Sequence, residues 1–239
     1  VELGQKKQKR CAAHAYEEAG DLWDHTAIAA DSKLVVSLVV GKRTPEQTRA
    51  VVHDAKRRLR PGHVPAIFPD AYDGSEAAIL EAFGRRYPHP RHGGRGGNPR
   101  PLVRWPQGLA YGQVKKSYNR GQVERSDVRV IRGKARLNHV WYLLGYPHIN
   151  TSAVARHNGT SRLRNRRKVR KTLTFSKAKR YHRWMSGLSV TLDNVCWGHG
   201  SLQIKQETQV HQRSPAMAAG LADHFWTTRA WLLCPVLGG

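Results

Sequence analysis

Between Thr151 and Lys177 the chain reads TSAVARHNGTSRLRNRRKVRKTLTFSK, a stretch crowded with arginine and lysine and without a single carboxylate. Read as one helix, it sets Arg162, Arg166 and Arg170 four residues apart on one stripe, with Ser152, Arg156, Thr160 and Lys171 at other angles. Like charges at that spacing repel by a few tenths of a kcal/mol per pair. A solvated helix face usually interleaves glutamates, and here the nearest following acid is Asp193. The neutraliser that fits is external phosphate. Arg156, Asn158, Arg162, Arg166, Arg167, Arg170 and Lys171 are therefore the candidate nucleic-acid contacts, and their chemistry is non-covalent.

The whole chain agrees with that stretch. Its 239 residues hold 41 Lys and Arg against 17 Asp and Glu, for a net charge of +24. Such a balance favours a polyanionic partner through counterion release; the rival is a ribosomal-type or simply basic protein. Cys11, Cys196 and Cys234 lie far apart with no CxxC pair, which argues against a zinc ribbon or a disulfide framework and fits a reducing cytoplasm. The histidines of YPHPRHGG and CWGHGS have no neighbouring Cys or carboxylate, so they read as surface or loop residues rather than metal ligands. The longest apolar run, Leu34 to Val40, is too short to cross a bilayer, so no membrane is expected as a partner. The chain opens on Val rather than Met, as a fragment or the product of an alternative start would.

The elements that must position the basic stretch follow from local pattern. Leu22 to Ala29 and Lys33 to Val40 read as a hairpin around Ala30-Asp31-Ser32. The second arm is nearly all apolar, as expected of a strand inside a sheet with helices on either side. Thr44 as N-cap, Pro45 at the first helical position and Gln47 three residues after the cap predict a helix that ends by Pro61-Gly62. A short strand carrying Asp70 and a helix with Ala77, Ile79, Leu80 and Phe83 come next. Residues 89–101, HPRHGGRGGNPRP, read as a mobile basic loop, and extended segments at about 109–117 and 123–131 precede the arginine-rich helix. SKAKRYHRWMSGLSVTLDNV is predicted helical, and SPAMAAGLADHFW supplies a Ser-Pro helix start. Trp23, Trp141, Trp184, Trp226 and Trp231 are expected in the core or as anchors, and Trp105 is the indole placed to stack on a base.

With these residues in view, the chain resembles the insertion-sequence-one family of bacterial DDE transposases. The family pattern N-T-S-x-V-E-R-x-N-x-T-x-R, then N-R-R-x-x-R-K-T-L-x-F-S-K, is matched from Asn150 to Lys177 at all its specified positions but one. The resemblance covers nearly the whole chain: GDLWDHTAIAADSKLVVSLVVGKRTPEQT is similar to the family's opening hairpin, LAYGQVKK to its middle strand, and HGSL with SPAMAAGLADHFW to its tail. It implies an α/β fold with a ribonuclease-H-like mixed five-stranded sheet, helices on both faces, a basic loop insertion and carboxy-terminal helices. The implied organisation is a core over residues 1–195 and a tail over 196–239 packing on it.

The resemblance also implies a mechanism, DNA strand cleavage and transfer at element ends and target. Three acids hold two Mg2+ ions about 3.5 to 4 Å apart, one activating a water or a 3′ hydroxyl and the other stabilising the leaving oxygen. Asp70, in the D-A-Y that stands for the family's D-G-W-like turn, is the counterpart of the second acid and the single candidate catalytic and metal-binding residue. The first acid belongs to a D-E-x-W strand that falls either just upstream of Val1 or on VELG, where Val1 takes the place of Asp. The third is the Glu of V-E-R, and here it is Ala155. The expectation is an amino-terminally truncated transposase core that binds DNA, self-associates if it follows its family, and cleaves poorly. The alternatives are a non-catalytic DNA-binding regulator and an inactive remnant. The family's zinc-binding, helix-turn-helix recognition part has no counterpart in these residues, so contacts are expected to be phosphate-directed and weakly sequence-specific.

Overall fold

A computed structural model describes residues 21–70, 72, 74–88, 101–120, 122–145, 151–169, 173–174, 176, 178–206 and 209–234. In chain order its elements are β1 (Trp23–Ile28), β2 (Val35–Gly41), α1 (Pro45–Arg57), β3 (Ala66–Ile67), α2 (Ser75–Phe83), β4 (Arg85–Tyr87), β5 (Leu102–Arg104), β6 (Ala110–Asn119), β7 (Gln122–Arg132) and α3 (Lys134–Leu143). They continue with α4 (Ser152–Arg164), α5 (Lys179–Val195), β8 (Ile204–Gln206), β9 (Gln209–His211), α6 (Pro215–Ala218) and α7 (Thr228–Leu233). The chain is a mixed α/β protein that divides into two compact units, one of residues 44–152 and one that joins residues 1–43 to 153–239. The segment 196–239 thus belongs with the hairpin β1–β2 and with α4 and α5. No helix among the described residues is long and apolar enough to cross a membrane.

The 44–152 unit is built on a three-stranded sheet of order β3-β6-β7, with β3 parallel and β7 antiparallel to β6. One cluster on it joins Ala110 and Val114 of β6 to Leu137 and Trp141 of α3, with Phe68 stacked on Trp141 at 4.4 Å between centroids. A second joins Ile79 of α2 to Leu109 and Tyr111, with Val52, Phe83 and Trp105 against it. Burial pushes the Tyr111 phenol up to about 12. Gly133 turns β7 into α3 at φ 66°, where a Cβ would stand 2.9 Å from the Leu109 carbonyl oxygen; only glycine combines that φ with that clearance. The short pair β4–β5 brackets residues 89–101, of which 89–100 lie outside the described residues.

In the other unit β1 and β2 form the expected hairpin, with Lys33 in the left-handed region at φ 59° and Asp31 accepting the Ser32 amide at 2.7 Å. The interior position expected of the second arm is not found. Among the described residues β2 pairs only with β1, and at Val35 the Asn194 carboxamide donates to the carbonyl and accepts the amide, both at 3.0 Å. A side chain of α5 thus takes the hydrogen bonds that another strand would make. Likewise no five-stranded sheet is present among the described residues, the widest having three strands. Thr44 precedes α1 with extended backbone and Pro45 at its start, but without the side-chain cap that Gln47 suggests. Ser214 does cap α6, accepting the Met217 amide at 3.2 Å ahead of Pro215.

Both contiguous apolar clusters found among the described residues lie in the 44–152 unit. In the other unit the buried positions are largely polar: Ser37, Ser161, Asn165, Lys168, His182, Ser186, Ser189 and Ser214. Its cohesion must therefore come from satisfied hydrogen bonds and a buried charge pair as much as from apolar burial.

Candidate functional site

The arginine-rich stretch forms α4, but the helix stops at Arg164. Asn165 is extended (φ −120°, ψ 97°) and its side-chain oxygen accepts the Arg167 amide at 3.1 Å, starting a separate 3-10 turn over Arg166–Lys168. The single stripe expected of Arg162, Arg166 and Arg170 is accordingly not formed: Arg162 sits in the last turn of α4 and Arg166 opens the next element. The reason is Lys168, which the turn carries inward until its side chain is 1% exposed. Arg156, Arg162 and Arg166 are exposed, Asn158 and Arg167 are half-buried, and Arg170 and Lys171 lie outside the described residues. Ala155 is exposed on the same helix.

Two cations of the stretch are neutralised internally. Arg164 pairs with Asp193 of α5 and lies over the Trp197 ring at 4.2 Å. Lys168 Nζ lies 2.6 Å from Asp24 Oδ2 and donates to Ser161 Oγ at 2.7 Å. Asp24, on β1 and 4% exposed, also accepts His182 Nε2 at 2.9 Å on Oδ1 and the Ser186 hydroxyl at 3.1 Å on Oδ2. Burial works against that carboxylate, but the His182 hydrogen bond and the Lys168 charge overcome it and hold the group well below the usual carboxylate range. Ser, His and Asp here do not make a catalytic relay. Ser186 and His182 both bond to the aspartate instead of to each other, and both are sealed from any substrate.

Nothing in the sequence pattern sets Lys168 apart from the cations around it or assigns Asp24 a partner. One signal was present: His182, Ser186, Ser189 and Asp193 recur at helical spacing along α5, a polar stripe that turns out to be the buried face. Histidine adds a pH dependence to the same unit. Burial lowers the pKa of His157, His25 and His199. A histidine whose folded pKa is depressed contributes stability above its unfolded value near 6.5, lost as pH falls through the folded value. Asp24 shifts in the same sense at still lower pH. The urea midpoint of this unit is expected to fall steadily from pH 7.5 to pH 5, followed by hydrogen exchange of the α4 and α5 amides; a midpoint flat over that range would contradict the assignment.

Asp70 lies in the 44–152 unit, exposed, just after β3 and bridged in parallel to Val114 of β6. The proline before it does not break an interior strand: β3 has β6 on one side and no other strand among the described residues, and the Pro69 carbonyl accepts the Val114 amide at 3.3 Å. The donor set does not fit the two Mg2+ ions that the resemblance implies. Ala155 offers a methyl group, and among the described residues no three His, Cys, Asp or Glu side chains gather to hold a metal. Trp105, a candidate to stack on a base, stacks on Tyr111 at 5.8 Å within the second apolar cluster. No family model, no curated protein and no solved structure matches the chain.

Proposed function

We propose that this chain is the core of a DDE transposase of the insertion-sequence-one type that binds DNA and whose strand-cleaving chemistry is impaired. The observation that carries the reading is the match from Asn150 to Lys177, where the arginines and asparagines of the family pattern stand and its glutamate is Ala155. Exposure of Arg156, Arg162 and Arg166, and the position of Asp70 at the end of a strand parallel to β6, support it. A ribonuclease-H-like fold belongs to the proposal, supported by the mixed α/β content and by the parallel pairing of β3 with β6. Cytoplasmic location, contact with element ends and target, and self-association follow from the same reading. A non-catalytic DNA-binding regulator and an inactive remnant rest equally on Ala155.

The reading separates binding from chemistry. With the purified chain, a duplex carrying the element ends should be retarded in a gel, while Mg2+ or Mn2+ should give no nicking or strand transfer above background. A lone carboxylate cannot offset the mutual repulsion of two divalent cations. Robust metal-dependent turnover that Asp70→Ala abolishes would overturn the claim of impairment. Failure to retard any DNA would overturn the reading as a whole.

A further inference from the structure

Seven tryptophans are distributed very unequally. Trp141 and Trp105 are engaged by Phe68 and Tyr111, Trp23 lies under Arg43 at 5.3 Å, Trp197 under Arg164, and Trp226 stacks on His224 at 6.0 Å. Trp184, expected in the core or as an anchor, is 61% exposed on α5. The cause lies on the opposite side of the helix. His182 and Ser186 are committed inward to Asp24, and at about 100° per residue Trp184 then points away from the protein. Tyr181, one turn earlier and 44% exposed, meets it edge-to-face at 5.5 Å, and Arg180 covers the Tyr181 ring at 4.9 Å. The indole is therefore braced on one side and open on the other.

We infer that Trp184, braced by Tyr181 and Arg180, is a stacking platform for an unpaired DNA base. The inference rests on the DNA-binding reading above and adds the form of DNA that this face takes. Charge complementarity selects the occupant: the residues around the pair are Arg180, Arg183 and Lys179, and the one carboxylate of α5, Asp193, lies at its other end in its bond to Arg164. A flat ring beside cations one helical turn apart suits a strand that repeats base and phosphate at each nucleotide. A base paired in the interior of a duplex keeps both faces stacked on its neighbours and has none to offer. A lipid surface would demand a broader apolar face than one indole flanked by arginines.

The test uses the full chain, a fluorescently labelled single-stranded oligothymidine and a blunt duplex of equal length, with affinity read by anisotropy. Trp184→Ala should weaken single-strand binding roughly tenfold to a hundredfold and leave duplex binding within about twofold, while Trp184→Phe keeps most of the single-strand affinity. Retained duplex binding also reports that the variant is folded. Single-strand affinity indifferent to Trp184→Ala, or an equal loss on both DNAs, overturns the platform and leaves the DNA reading standing. Absence of binding by the unaltered chain to either DNA overturns both.

Discussion

Replacing Asp24 by alanine is expected to destabilise the unit that contains it by about 3–5 kcal/mol. The carboxylate is the common acceptor for Lys168, His182 and Ser186, each drawn from a different turn of structure and each buried. Its removal leaves an ammonium group in a site that is 1% exposed, with the Ser161 hydroxyl as its remaining partner among the described residues. A neutral hydrogen bond cannot replace the lost charge pair, because desolvation of a cation costs several kcal/mol and a typical net hydrogen bond returns about 1. Typical domains are stable by about 5–15 kcal/mol, so the loss is a large share of what holds the unit together. Hydrogen exchange of the α5 amides should accelerate by roughly two to three and a half decades, whereas amides of β6 in the other unit, whose core is apolar, should change little. Combining Asp24→Ala with Lys168→Met should recover about half of the loss, since both charges leave together. The His182 N–H remains without its acceptor and keeps a residual cost of about 1–3 kcal/mol. A double variant as unstable as Asp24→Ala alone would show that Lys168 is not the group Asp24 neutralises.

The origin of that network explains what was and was not legible in the sequence. Elements defined by neighbours in the chain were readable: the hairpin about Asp31, the helix behind Pro45, the antiparallel pair after Leu109, and the Ser214-Pro215 start of α6 all follow from local turn and cap chemistry. The site was harder because its decisive bonds span the chain. His182 lies 158 positions from Asp24, and no periodicity within β1 reveals that a central aspartate will find a lysine, a histidine and a serine from two helical segments. The break in the arginine-rich helix has the same root. Asn165 and the 3-10 turn after it conform to the inward path of Lys168, a tertiary demand that overrides the local preference for one continuous helix. Trp184 is not in the core, where an indole usually sits, because the inner face of α5 is occupied by His182, Ser186 and Ser189.

Affinity for duplex DNA is expected to fall steeply with salt, and the internal pairings set how steeply. Each phosphate neutralised contributes a slope of about −0.9 in log affinity against log salt. Arg156, Arg162, Arg166, Arg167, Arg170 and Lys171 are the candidate contacts, whereas Arg164 is paired with Asp193 and Lys168 with Asp24. If all six engage, the slope is about −5, and raising salt from about 50 to 200 mM costs roughly a thousandfold. Each of Arg162→Gln and Arg166→Gln should flatten the slope by about 0.9. Arg164→Gln, although it removes the same formal charge from the same stretch, should leave the slope unchanged because its guanidinium is already committed to Asp193. That contrast separates a phosphate-binding face from mere excess of positive charge, which would treat the three arginines alike. It also bears on sequence recognition: contacts to phosphate carry no base information, so element ends and random duplex should lie on one salt line. A slope shallower than about −2, or a loss of slope in Arg164→Gln equal to that in Arg162→Gln, would remove the arginine-rich segment as the DNA-binding face.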